Sequence, residues 1–302
     1  MDTTAIANAL SGMDIIFREK ESMAEHTTFK IGGPADFICE PDSVSRLKDL
    51  LSFCRKNAVP YFVLGNGSNL LVSDNGIEGI VISLKRFENV TLENAFEIRC
   101  DAGVRLSHLC SVALQNELSG LEFAWGIPGS IGGAIYMNAG AYNSEISAVL
   151  KECTYIDESG NTVQADVSGL DFGYRKSIFS DSEKVIINAV FRLTHENRDI
   201  IQSRMDDLLR RRKEKQPLEY PSAGSTFKRP TGHFAGALIE KSGLKGTSVG
   251  GAEVSEKHAG FIINKGSATC RDVLSLISKV KEEVFLKESV VLEPEVKTVG
   301  RL

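Results

Sequence analysis

The seventeen residues 126–142, GIPGSIGGAIYMNAGAY, restrict what this chain can fold into more than any other stretch. They carry no charge, and five of them are glycine: Gly126, Gly129, Gly132, Gly133 and Gly140. Glycine accepts positive φ and lets a second backbone or a ligand approach closely. Two outcomes are open to such a run. One is a tight turn feeding a buried strand. The other is a concavity of successive backbone N–H groups that suits a phosphate, the more so where a helix begins. The run does not end in the Lys-Ser/Thr of a P-loop. Its spacing, Gly126-x-x-Gly129-x-x-Gly132-Gly133, is not the G-x-G-x-x-G dinucleotide fingerprint either.

The rest of the composition excludes several functions. A net charge of −5 over 302 residues argues against nucleic-acid binding through bulk electrostatics. No apolar run approaches a membrane span, and MDTTAIANALSG at the N-terminus lacks the regions of a signal peptide. A cytoplasmic protein without membrane insertion is expected. The six cysteines (Cys39, Cys54, Cys100, Cys110, Cys153 and Cys270) form no C-x-x-C and read as small buried side chains in a reducing compartment. The five histidines show no ligand spacing, so no metal site is expected.

Along the chain, a short helix within residues 1–22 precedes an apolar strand at 15–17. Gly32-Gly33-Pro34 then turns between extended runs at 29–31 and 37–39. Val44, Leu47, Leu50, Leu51 and Cys54 recur at helical spacing behind Asp42 or Ser43 as N-cap, and an apolar strand follows at 61–64. A second glycine loop, Gly65-Asn66-Gly67-Ser68-Asn69, is either a hairpin turn or a second backbone cradle with side-chain help from Ser68 and Asn69. Further strands are expected at 79–84 and 96–100, an amphipathic helix at 104–114, a hairpin from 148–156 and 162–165, and a strand at 185–193. Residues 171–179, holding Tyr174 and Arg175, read as a loop, and an isolated Tyr-Arg pair such as Tyr174 and Arg175 more often simply snorkels at a surface. After residue 195 come a helix ending in RRRKEK, a third loop around Ser225, a helix at 235–242, short strands at 250–254 and 261–264, and a helix at 273–284. The last element is a strand at 289–296 interrupted by Pro294. Ser225 lacks a G-x-S-x-G setting, so a hydrolase nucleophile is not indicated. Glu295 either reaches into a cleft or is an ordinary solvated carboxylate.

Seven motifs in order carry a resemblance: residues 28–36 (TFKIGGPAD), 65–71 (GNGSNLL), 126–133 (GIPGSIGG), 136–142 (YMNAGAY), 174–177 (YRKS), 222–228 (SAGSTFK) and 292–296 (LEPEV). Together they resemble the UDP-N-acetylenolpyruvoylglucosamine reductases, flavoenzymes of bacterial peptidoglycan precursor synthesis, over nearly the full length. The resemblance implies an α+β protein with a vanillyl-alcohol-oxidase-type FAD-binding fold in two subdomains, 1–72 and 73–197. A C-terminal α+β substrate domain, 198–302, follows, with its last strand returning to the flavin site. It implies non-covalent FAD, held by Gly65, Asn66, Gly67, Ser68 and Asn69 and by Gly126, Pro128, Gly129, Ser130, Gly132 and Gly133. No His or Cys stands in 65–71 to tether a flavin. NADPH is the implied co-substrate, and the enolpyruvyl ether of UDP-N-acetylglucosamine the implied substrate.

On the same resemblance Arg175 faces the substrate carboxylate, Ser225 donates a proton to C2, and Glu295 is a carboxylic acid in the enol site, with Tyr174, Lys215 and Lys228 as substrate contacts. Planar guanidinium suits a carboxylate or enolate, and Glu295 donates a hydrogen bond only if burial raises its pKa. Two positions depart from the family pattern: Arg229 and Gly260 stand where other members have Asn. No long tyrosine-bearing insertion separates residues 195 and 215, so the shorter type of the family is implied. A flavin oxidase of the same fold and a non-catalytic nucleotide-sugar binder are the competing readings. The Arg175–Ser225–Glu295 set argues against the first and the flavin loops against the second.

Overall fold

A computed structural model describes residues 3–302. By tertiary contact the chain forms two compact units, and each draws on separate stretches of sequence. The first takes residues up to 18, 37–66 and 79–211; the second takes 19–36, 67–78 and 212–302. The expected segments 1–72, 73–197 and 198–302 are consecutive, whereas the chain crosses between units at 18/19, 36/37, 66/67, 78/79 and 211/212. The loop 65–69 is therefore shared out, with Gly65 and Asn66 in the first unit and Gly67, Ser68 and Asn69 in the second.

The first unit is built on a five-stranded antiparallel sheet in the order Thr162–Asp166, Leu150–Ile156, Val185–Arg192, Glu97–Asp101, Val90–Asn94. Alternation decides its face. Cys153, Ala189 and Cys100 stand opposite one another across three strands, and all are fully buried. The expected hairpin is present, with Tyr155 opposite Val163. Its turn is closed by the Asp157 side chain, which accepts from the Asn161 N–H at 2.7 Å. Tyr61–Leu64 pairs in parallel with residues 80–83. Ahead of Tyr61–Leu64 in the chain runs helix α2 (Val44–Lys56; α1 is Thr3–Gly12), whose N-cap Ser43 accepts from the Arg46 N–H. It buries Leu47, Leu50, Leu51 and Cys54. Helix α3 (Leu106–Gln115) buries Leu106, Leu109, Cys110, Ala113 and Leu114 into the same core.

The second unit carries a four-stranded antiparallel sheet, Ser222–Ser225, Phe261–Asn264, Ala252–Val254, Ser248–Val249. Of the remaining helices (α4 Ile131–Tyr136, α5 Arg198–Lys215, α6 Ala235–Lys241 and α7 Cys270–Glu288), α7 packs against this sheet. A capping box of Thr269 and Asp272 starts α7, and it lays down Val273, Leu276, Ile277, Val280 and Val284 as one buried stripe.

Two expected strands are not formed. Residues 29–31 are irregular because Lys30 takes φ 57°, which ends an extended run. Phe29 and Ile31 are still buried, and the Phe29 carbonyl is held by Asn264 Nδ2 at 3.1 Å. Residues 289–296 are likewise irregular apart from a bridge between Phe227 and Pro294. Ser289 turns left-handed at φ 57°, and proline has no N–H for a ladder. The strand begins afterwards, as Lys297–Val299, parallel to Leu70–Val72.

Candidate active site

In the first unit the two glycine stretches lie against one another. A Cβ on Gly65 would stand 2.7 Å from Ser130 Oγ, so no larger residue fits without displacing it. Asn66 Nδ2 donates to the Pro128 carbonyl at 2.5 Å. Ser130 caps α4 by accepting from the Gly133 N–H at 3.4 Å. The run thus opens a helix, not the buried strand that was the other outcome. Gly132 is small because its Cβ would lie 3.1 Å from Ala102 Cβ.

The α4 N–H groups are not open to a ligand, since Ile131 N donates to Val104 O and Gly132 N to Ala102 O, each at 2.8 Å. Among the described residues no protein acceptor takes the N–H groups of Gly126, Gly129 and Ser130, nor those of Asn66, Gly67 and Ser68. Consecutive unspent donors of this kind form the concave, partly positive surface that holds a phosphate.

The loop 171–179 is more ordered than its sequence suggests. Gly173 and Lys176 exchange backbone hydrogen bonds of 3.0 and 3.2 Å, making Tyr174 and Arg175 the centre of a tight turn. Arg175 takes φ 55°, a value this turn position normally assigns to Gly or Asn. Its Nη1 and Nη2 donate to the Asn138 and Gly140 carbonyls at 3.3 and 3.1 Å. Tyr174 is exposed, with its ring centroid 5.0 Å from Arg175 Cζ. Backbone strain of this sort persists where the surroundings over-determine it, often at working sites.

In the second unit, Gly67 (φ 61°) closes against His26, whose carbonyl oxygen would be 2.0 Å from an added Cβ. Its own carbonyl accepts from the Thr28 N–H. Asn69 Nδ2 donates to the Glu295 carbonyl at 3.1 Å and Asn69 O accepts from Lys297 N at 3.0 Å. The Asn69 side chain thus braces the backbone at Glu295.

Ser225 and Glu295 lie on paired segments. Thr226 accepts from Glu295 N at 2.8 Å, Lys228 N donates to Glu293 O at 2.8 Å, and Thr226 N donates to Gly260 O at 2.8 Å. Ser225 is exposed, and its hydroxyl makes no hydrogen bond with the described residues. Glu295 is half-buried. Gly260 has a local reason for its size, since a Cβ there would stand 2.9 Å from the His258 ring, whose Nδ1 accepts the Gly260 N–H. Burial lowers the His258 pKa, which keeps that ring a neutral acceptor.

Among the substrate candidates, Lys228 pairs with exposed Glu293 at 3.3 Å, a contact weak enough to be exchanged for a phosphate. Lys215 is exposed on the last turn of α5. Arg229 lies over the Phe234 ring, 3.9 Å from its centroid. Burial pushes the thiols of Cys39, Cys54, Cys110 and Cys153 up to about 12, so they are not nucleophiles near neutral pH. Among the described residues no three His, Cys, Asp or Glu side chains gather as a metal site.

Three residues at the heart of these arrangements are missed by sequence reasoning: Asn138, Ser177 and Thr226, exposed by 0%, 1% and 3%. Only Asn138 carries a signal, since Asn tolerates left-handed φ, here 43°.

Comparison with known proteins bears on both units. Residues 35–166 match an FAD binding domain, and residues 216–299 match the C-terminal domain of UDP-N-acetylenolpyruvoylglucosamine reductase. The reductase of that name from Clostridium novyi is 53% identical over 278 residues, 92% of this chain and 90% of the relative. The one from Caldanaerobacter subterraneus is 51% identical over 93% of this chain and 92% of its own length. The crystal structure of the Thermus caldophilus reductase superposes with a TM-score of 0.82 at 36% identity, covering 94% of this chain and 99% of that one. Physcomitrella patens BBE-like 1 shares the fold alone, at TM-score 0.51 and 13% identity over 63% of this chain and 44% of its own. With two relatives above half identity over nine-tenths of its length, this chain belongs to the UDP-N-acetylenolpyruvoylglucosamine reductase family.

Proposed function

We infer that this chain is an FAD-dependent reductase that uses NADPH to convert UDP-N-acetylglucosamine enolpyruvate to UDP-N-acetylmuramate for peptidoglycan precursor synthesis. The observation that carries this is identity above half with reductases of that name across nearly the whole chain. FAD supplies the transfer of hydride from NADPH to C3 of the enolpyruvyl group. Gly65, Asn66, Gly67 and Ser68, with Gly126, Pro128, Gly129 and Ser130, are assigned to the cofactor, supported by the unspent N–H groups of Asn66, Gly67, Ser68, Gly126, Gly129 and Ser130 and by the intolerance of larger side chains at Gly65 and Gly67. Gly132 and Gly133 serve that cradle by close packing, because their own N–H groups have protein acceptors. Asn69 belongs to it through the backbone it braces.

Arg175 is the clamp for the substrate carboxylate. Contacts with the Asn138 and Gly140 carbonyls aim the guanidinium, so that it stabilises the charge that builds on the enolate. Ser225 is the proton donor to C2, supported by an exposed hydroxyl that no protein group occupies. A neutral hydroxyl is a weak acid, so it works only when set against the developing carbanion. Glu295, in its protonated form, donates a hydrogen bond to the enol. Tyr174, Lys215 and Lys228 contact the substrate, the lysines as partners for the diphosphate. We place the protein in the cytoplasm, in keeping with six buried free thiols and with the absence, among described residues, of a helix long and apolar enough to cross a membrane.

A visible spectrum, followed by anaerobic addition of NADPH and then substrate, tests the reading. Yellow protein that bleaches with NADPH and regains colour only with the enolpyruvyl substrate is expected. Recovery with oxygen alone would show an oxidase, and protein that cannot be reconstituted with FAD would refute the cofactor assignment.

A further inference from the structure

The turn that carries Arg175 does not hold itself in place. A tight turn with an arginine at φ 55° is unfavourable alone, because a Cβ crowds the left-handed region. One buried residue ties both the turn and the guanidinium. Asn138 Nδ2 donates at 3.1 Å to the Gly173 carbonyl, the same oxygen that closes the turn by accepting from Lys176 N. Asn138 Oδ1 accepts from Ser147 N at 3.1 Å, fixing the amide from behind. The Asn138 carbonyl in turn accepts from Arg175 Nη1 at 3.3 Å. The hydrogen bonds therefore form a closed ring from Asn138 through Gly173 and Arg175 back to Asn138. Ser177 pins the far side of the turn, with Oγ donating to the Tyr136 carbonyl at 2.8 Å. Asn138 is completely buried, so its amide has no solvent to fall back on. At φ 43° it is also a residue type suited to its backbone.

We propose that Asn138 is the positioning residue of the substrate clamp: its side chain fixes the aim of the Arg175 guanidinium and so acts only on the substrate step. This rests on the clamp role of Arg175. Truncation would let the guanidinium drift, and misplacement by about an ångström costs on the order of 10²-fold in rate.

Two substitutions separate the bonds. Asn138→Asp keeps the acceptor for Ser147 and loses the donor to Gly173. Asn138→Gly loses both while remaining at ease at positive φ. Each holoenzyme is measured by anaerobic stopped flow in two halves, flavin reduction by NADPH and reoxidation by substrate, with the fluorescence of the single tryptophan, Trp125, as a check of folding. Both variants are expected to keep the native rate of flavin reduction and to reoxidise about 10- to 10²-fold more slowly. In an Arg175→Ala background, Asn138→Gly is expected to add no further slowing, since the two act as one unit. Native reoxidation in Asn138→Asp, or equal slowing by Asn138→Gly with and without Arg175, would overturn the proposal. Native reoxidation in Arg175→Ala alone would instead overturn the clamp on which it rests.

Discussion

The glycine stretches of the first unit and the Ser225–Glu295 ladder of the second use the backbone in opposite ways. In the first, side chains are absent so that the chain can lie close: Gly65 lies on Ser130 and Gly132 on Ala102, and several N–H groups are left without protein acceptors. In the second, backbone groups are almost all spent on pairing, through Thr226, Lys228 and Glu295. The groups assigned to the substrate there are side chains, namely the exposed Ser225 hydroxyl and the half-buried Glu295 carboxylate. Backbone donors suit a cofactor that is bound and kept, whereas a proton must be carried by a group that can release one. Arg175 belongs in kind with the second region although it lies in the first unit, since its backbone strain serves the aim of one side chain.

If that contrast is sound, substitutions should divide by half-reaction. The largest effect is expected from Ser225→Ala, with reoxidation by substrate slowed about 10²- to 10⁴-fold and flavin reduction by NADPH unchanged; native reoxidation in stopped flow would remove Ser225 as donor. Arg175→Lys keeps the charge but loses the planar fork, and kcat should fall about 10²-fold; a near-native kcat would remove the clamp. Gly67→Ala should act the other way, on the cofactor and the fold. Its Cβ would meet the His26 carbonyl at 2.0 Å with φ at 61°, a cost of about 2–3 kcal/mol that lowers Tm by roughly 3–5 °C and weakens FAD binding. An unchanged melting curve with full FAD content would show that the loop yields.

The smallest effect distinguishes a structural carboxylate from a working one. Hydrogen bonds from Lys151 and Arg192 hold Glu97 down at about 2, against an ordinary 4.5. A depressed pKa contributes stability above the unfolded value and loses it as pH falls through the folded one. Wild type should therefore be more stable than Glu97→Gln at neutral pH, with the gap closing from about pH 4.5 towards 2 and kcat unaffected. A gap independent of pH in urea titrations would assign the stabilisation to something other than charge.

Most of the helices and sheets are legible in the sequence because their cause is local. The 44–56 helix shows its cap and its apolar stripe, and the 150–166 hairpin shows its turn residues. The glycine loops are legible as loops, but their partners are not. That Gly65 packs on Ser130, or that Gly67 belongs with 212–302 while Asn66 belongs with 79–211, depends on contacts far apart in the chain. Residues 289–296 look like a strand by composition, and fail because Ser289 turns left-handed and Pro294 cannot donate. Asn138 and Thr226 are invisible for a similar reason. Each is a short polar residue whose importance comes from burial, and burial here is set by tertiary packing.

The division between a backbone that holds the flavin and side chains that act on the substrate is tested most directly by one protein, the Arg175→Ala/Ser225→Ala/Glu295→Ala triple variant. FAD affinity and both half-reactions would be measured on it together. Native FAD affinity and native bleaching by NADPH, with substrate-driven recovery of colour abolished, is the predicted result. Loss of flavin, or reoxidation by substrate at the native rate, would contradict it.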